Sequence, residues 1–182
     1  STGIGGGIIA NSEMVTGASG GAGEIGRTSV RTGAYRCNVG CDGCFEGNAS
    51  GPAIARAARD RFRNEGPLAE LAGGDPANIT SRMVFDAAHD GDPVAREVVD
   101  LTIENVGIGL GGLLNTFDPE ALVIGGGVVQ GLQRHWDELK ASIVEHALPR
   151  YENGVPLTAT RLGDDVSLLG AAQLAFRESR RL

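Results

Sequence analysis

Glycine constrains this chain more than any other residue. Twenty-nine of its 182 residues are glycine, against a usual share of about 7%. They are not spread out like a linker. They gather beside apolar runs, at Gly3–Gly7, Gly17–Gly26, Gly107–Gly112 and Gly125–Gly127. Such clusters mark places where backbone must approach a neighbour or a ligand closely. The fold is therefore one of strands and helices packed tightly across glycine faces.

The length suits one domain with a sizeable core. Ile4–Ala10 and Glu13–Val15, joined by Asn11-Ser12, predict a β-hairpin, and Arg27–Thr32 is β-prone. From Ser50 the pattern turns helical. Ser50 caps, Pro52 opens the first turn, Ile54, Ala57, Ala58 and Phe62 share a face, and Gly66-Pro67 ends the helix. A second helix starts at Asn78 or Thr80 and runs through Ala88. A long third starts at Asp92-Pro93 and runs to about Leu114, with Val94, Val98, Leu101, Val106, Leu110 and Leu113 at helical spacing. Gly107, Gly109, Gly111 and Gly112 inside it cost about 1 kcal/mol each relative to Ala, which implies close packing against a neighbour. Asp118-Pro119 breaks the chain. Ala121–Ile124 is a short apolar strand, Gly125–Gly127 a turn, Leu132–Leu148 a helix and Pro156–Arg161 a strand. Gly163–Asp165 is a loop, and Leu168–Arg177 is a last helix whose terminal arginines suit its C-terminus. The order β-β-β-α-α-α-β-α-β-α predicts an α/β domain with a mixed sheet and helices on both faces.

A formal charge of −7 excludes this domain as a nucleic-acid reader, which needs a basic footprint. No apolar run is long enough to span a bilayer. The three cysteines fall within eight residues. That is no disulfide framework; it points to metal or to reduced thiols in a cytoplasmic setting. No Ser-His-Asp arrangement and no GxSxG is legible, which argues against nucleophilic hydrolysis.

Several short patterns carry chemistry. Glu24 and Glu46 sit on glycine-bordered loops, where a carboxylate can accept from two sugar hydroxyls; loop glutamates are also commonly just solvated. Cys37-x3-Cys41-x2-Cys44 can place three thiolates around one zinc ion. A fourth ligand is then required, from Asp42 or from a group the fold brings in, and the same spacing fits free, partly buried thiols. Leu122–Gly127 reads as a buried strand entering a glycine turn before a helix, a place that suits a nucleotide phosphate. Thr2-Gly3-Ile4-Gly5-Gly6-Gly7 lacks the Lys-Ser/Thr of a Walker loop. It is either a second phosphate loop or a tightly packed strand.

Together, Thr2–Gly7, Gly23-Glu24-Ile25-Gly26, the Cys37–Glu46 turn, Val123–Gly127 and Leu168-Leu169-Gly170-Ala171-Ala172 resemble, in order, the C-terminal part of the ROK family of bacterial repressors and glucokinase-related sugar kinases. The resemblance implies an actin-like ATPase (ribonuclease H-like) domain spanning 1–182, with a sugar and zinc loop at 17–48. It implies ATP and magnesium as cofactors and a hexose as substrate. It assigns Glu24, Arg27 and Glu46 to the sugar, and Thr2, Gly3, Gly125, Gly126 and Gly127 to the nucleotide. Cys37 and Cys44 match two of the family's zinc thiolates.

Two departures alter that picture. The family's histidine, which binds sugar and zinc, is Arg27 here. The family's middle cysteine is Val39, with Cys41 appearing instead. A zinc site must then use Cys37, Cys41, Cys44 and another ligand, or be lost. In the family, the first phosphate loop and the general-base aspartate belong to an N-terminal domain that these 182 residues do not contain. The expected activity is phosphorylation of a hexose by a longer protein, inactive as this half alone. The alternative is a sugar-sensing repressor of the same family. A non-catalytic role with the long glycine-containing helix as a dimer interface is also open, and a homodimer or larger homo-oligomer is expected.

Overall fold

The computed structural model describes residues 2–32, 35–37 and 39–179. Its centre is helix α5, Pro93–Phe117, whose N-terminus is capped by the buried Asp92 side chain accepting from Ala95 N. Asp92 also accepts from Leu68 N in α3, Gly66–Ala72, which ties two helix starts to one carboxylate. Helices α1 (Phe45–Ala49), α2 (Gly51–Asp60), α4 (Ser81–His89) and α7 (Trp136–Glu145) pack around α5. The core runs through Ile54, Val84, Val98, Val99, Leu110, Leu114, Leu139 and Ile143.

The glycines of α5 explain themselves in this packing. A Cβ on Gly107 would stand 2.0 Å from Ser142 Oγ, and one on Gly109 would stand 2.7 Å from the Phe45 ring. One on Gly111 would stand 2.9 Å from His146 Cβ. The close approach predicted for them is therefore to α7 and α1 of the same chain. A Cβ on Gly112 meets nothing.

Several expected boundaries moved. Ser50 does cap α2, and Thr80 does cap α4. Gly66-Pro67, however, opens α3 rather than closing α2, because proline favours the first helical turn. The helix expected over Leu132–Leu148 starts earlier, as α6 at Gly127–Leu132, and a 3-10 turn at Gln133–His135 separates it from α7. The final helix, α8, spans Val166–Ser179 with Leu168 and Phe176 in solvent. Arg180 and Arg181, expected near its end, lie outside the described residues.

The expected single mixed sheet is divided. Strands β1 (Ile9–Ala10) and β2 (Glu13–Met14) form an antiparallel hairpin whose turn residues Asn11 and Ser12 both have positive φ. That is the two-residue turn whose twist matches paired strands. Strands β3 (Leu122–Ile124) and β4 (Leu157–Ala159) pair in parallel, with α6 and α7 as the crossover. Both pairing senses occur, but in separate ladders among the described residues. The third strand expected at Arg27–Thr32 is absent. Ile25–Arg27 is a 3-10 turn, and a lone bridge pairs Ser29 with Cys44. No helix among the described residues is long and apolar enough to cross a membrane.

Candidate sugar and nucleotide site

The site is assembled by glycines that let three segments touch. Gly26 lies under Ile4, where a Cβ would stand 2.1 Å from the Ile4 carbonyl oxygen. Gly43 lies under Arg31, where a Cβ would stand 1.7 Å from the carbonyl oxygen, and its own carbonyl accepts from Val30 N and Arg31 N. Cys44 then caps α1, its Sγ accepting from Gly47 N at 3.3 Å. This places Glu46 in the first turn of α1, opposite Arg27 on the 3-10 turn.

Glu46 is the pivot. Its side chain is 12% exposed. One oxygen accepts from Arg27 Nη1 at 2.8 Å, and the other accepts from the backbone N–H of Ile4 at 3.0 Å. The Glu46 carboxylate holds the Arg27 guanidinium above its already high ordinary range. Gly3 lies against the same carboxylate, where a Cβ would come within 2.7 Å of Oε2. Glu24 stands on the other side of Arg27, 3.7 Å from Nε and 71% exposed. The residues assigned to the sugar, Glu24, Arg27 and Glu46, are thus brought together, and Gly3 joins them.

The three cysteines converge beside this group. Their sulfurs all lie within 4.8 Å of one another. Cys37 and Cys41 are in contact at 2.6 Å. That hydrogen bond from Cys41 draws the Cys37 thiol down to about 6. The same contact with Cys37, then Cys44, pushes the Cys41 thiol up to about 11. Arg27 Nη1 also donates to Cys37 Sγ at 3.3 Å. Three convergent sulfurs fit a thiophilic ion such as zinc, which takes thiolates at about 2.3 Å. Asp42 does not join the group; it takes part in a backbone bridge to Arg36.

The nucleotide residues gather less completely. Thr2 and Gly127 line one cavity of about 660 Å³, together with Thr80, Arg59, Arg82 and Arg134. The N-terminal turns of α2, α4 and α6 open onto it, and helix N-termini favour anions. Gly125 and Gly126 do not line it. Gly125 packs on Thr160, where a Cβ would stand 2.6 Å from Cγ2. Gly126, at φ 101°, gives the backbone turn that starts α6. The three arginines were missed in the sequence, since Arg59 lies on α2, Arg82 on α4 and Arg134 on the 3-10 turn after α6, and no local pattern joins them. Arg59 donates to the carbonyls of Pro76 and Ile79, and Arg134 pairs with Asp86.

The chain has the actin-like ATPase fold of the ROK kinases on which it superposes. The chain belongs to the ROK family, which it matches over residues 1–178. It is 35% identical to a glucokinase of Halalkalibacterium halodurans, over 100% of this chain and 56% of that protein. It is 34% identical to an N-acetylmannosamine kinase of Salmonella heidelberg, over 96% of this chain and 54% of that protein. Among solved structures, a ROK glucokinase from Streptomyces griseus in complex with glucose and AMPPNP superposes with a TM-score of 0.84 at 33% identity, over 95% of this chain and 57% of that one. A ROK family transcriptional regulator superposes with a TM-score of 0.69 at 28% identity, over 87% of this chain and 39% of that one. The chain spans about half the length of the curated relatives it matches.

Proposed function

We propose that this chain is the C-terminal domain of an ATP-dependent hexose kinase of the glucokinase type. The observation that carries the reading is Glu46, nearly buried, held at once by Arg27 and by the backbone of the Thr2–Ile4 loop. Charged acceptors make the stronger hydrogen bonds to hydroxyls, and Glu24 and Glu46 accept from the sugar. Arg27, fixed by Glu46, donates to a sugar oxygen. The Thr2 hydroxyl and the N–H groups of its loop meet the phosphates, while the cavity bounded by Gly127 takes the rest of the nucleotide. Magnesium, if it accompanies ATP here, would supply charge neutralisation at the phosphates that the Thr2 loop meets.

Support for the kinase reading comes from the glucokinase relatives and from the glucose- and AMPPNP-bound neighbour. The general base that takes the proton from the attacking hydroxyl is an aspartate beyond these 182 residues. Phosphoryl transfer needs groups from both sides of the cleft, so this chain alone gives no turnover in a coupled ADP-release assay, and turnover would refute the division of labour. We place the reaction in the cytoplasm, in keeping with free, partly exposed thiols, and in a homodimer or larger homo-oligomer, which sedimentation measures directly.

Isothermal titration of the longer protein against glucose, mannose and their N-acetylated amines tests the substrate class. Binding of one hexose supports it, and no heat with any of the four sinks it. The regulator neighbour keeps a second reading in view, a sugar-sensing repressor. An upstream Asp-x-Gly-Gly-Thr loop with a later Asn-Asp pair marks the kinase, and a basic winged helix marks the repressor.

A further inference from the structure

We propose that Asn105, buried in the middle of α5, is a positioning residue that holds Glu46 and Arg27 in place relative to each other. Its effect on a bound hexose rests on the sugar reading above, whereas its effect on the Glu46 carboxylate does not.

Helix α1 carries Glu46 and has only five residues, too few to hold an orientation by itself. Its direction must come from neighbours. Gly109 of α5 leaves room for the Phe45 ring, which a Cβ there would meet at 2.7 Å. Asn105 lies one turn before Gly109 on the same face of α5. Its Nδ2 donates to the Asn48 carbonyl at 3.5 Å, one of those that the end of α1 leaves without a helical partner. Arg56 Nη2 takes the adjacent carbonyl, donating to Gly47 O at 2.7 Å.

The other end of the same amide holds the opposite wall. Asn105 Oδ1 accepts from Arg31 Nε at 3.2 Å, and the Arg31 backbone N–H donates to Gly43 O at 3.1 Å. Arg27 stands one short segment before Arg31. One side chain therefore grips both the segment bearing Arg27 and the helix bearing Glu46. A guanidinium offers only donors and a carbonyl only accepts, so the amide has one way round. Asn105 is 1% exposed, and a buried amide costs stability unless it is bonded. An apolar side chain would avoid that cost; what the amide adds is placement. Glu104 also pairs with Arg31, but from the solvent side and half-exposed, where ion pairs contribute little.

The Ile4 N–H reports on the carboxylate, since it donates to Glu46 Oε2 and its hydrogen exchange follows local opening. In the longer protein, Glu46→Ala should speed Ile4 exchange and set its ceiling. Asn105→Ala should speed it about 10-fold, the size of one hydrogen bond to a charged group, while the Val99 and Leu110 amides of α5 stay protected. Arg31→Met, at a partly exposed side chain, should act in the same direction, and it decides the matter if Asn105→Ala loses the α5 protection. Glu104→Gln should leave Ile4 unchanged. In the Glu46→Ala background, Asn105→Ala should add nothing. Glucose affinity should fall about 10-fold in Asn105→Ala. Ile4 exchange as slow as wild type in Arg31→Met and in a folded Asn105→Ala overturns the proposal, and so does an equal response to Glu104→Gln. Faster exchange with glucose affinity unchanged overturns the role in binding. A wild-type protein that gives no heat with any of the four sugars, yet shows the expected exchange pattern, supports the positioning of Glu46 and sinks the sugar reading instead.

Discussion

At the scale of single residues, Glu46 and Glu24 look alike in sequence and differ in the fold. Glu46 is fixed at both oxygens, whereas Glu24 is mostly solvated and pairs with Arg27 at 3.7 Å. Hydrogen bonds to charged groups contribute about 1.5–3 kcal/mol. Glu46→Gln is therefore expected to weaken glucose binding by about 10- to 100-fold in calorimetry of the longer protein, with Glu24→Gln costing less. Equal losses at the two positions would contradict the ranking. The pairing of Arg27 with Glu46 could not be read beforehand. It depends on Gly26 closing onto Ile4, a contact between segments with no shared periodicity. The cysteine cluster was legible as a spacing. What the spacing did not carry was the guanidinium on Cys37.

At the scale of elements, α5 was the most legible part, because 25 residues of helical spacing leave little ambiguity. Its glycines now divide into two kinds. Gly109→Ala drives a methyl into the Phe45 ring, and overpacking of this kind costs about 1–3 kcal/mol, partly offset by about 1 kcal/mol of helix propensity. Gly112→Ala meets open space and should stabilise by about 0.4–1 kcal/mol. Thermal unfolding should move Tm down for the first and up for the second, by a few degrees for a domain of this size; a shared direction would rule out the packing explanation. Helix α7 is clamped to α5 by Glu138, whose carboxyl Arg96, then His135, holds below its ordinary value. A depressed carboxyl stabilises above its unfolded pKa and loses that contribution as pH falls through its folded value. Glu138→Gln should therefore lower the urea midpoint at pH 7, and the difference from wild type should shrink as the pH is lowered below the ordinary carboxylate value. The difference is under about 1 kcal/mol, as for other largely exposed pairs. The boundaries that failed, at Gly66-Pro67 and Gly127, failed because proline and glycine mark helix starts as well as stops.

At the scale of the whole molecule, class and order were legible while sheet continuity was not. Strands of two or three residues beside glycine leave too short a pattern to show which ladder they join. The cavity shared by Thr2 and Gly127 was likewise out of reach, since its arginines come from two helices and a 3-10 turn that are far apart in sequence. One bond described above has a wider effect. The Ile4 N–H that Glu46 accepts belongs to the loop that ends at Thr2 on the cavity proposed for the nucleotide. A ligand that draws Glu46 toward itself must tug that backbone. On the proposed reading the two compartments are thermodynamically linked, and whatever factor one ligand imposes on the affinity of the second, the second imposes on the first. Titrating glucose with and without AMPPNP, and AMPPNP with and without glucose, should return the same factor. Glu46→Gln should bring that factor toward one.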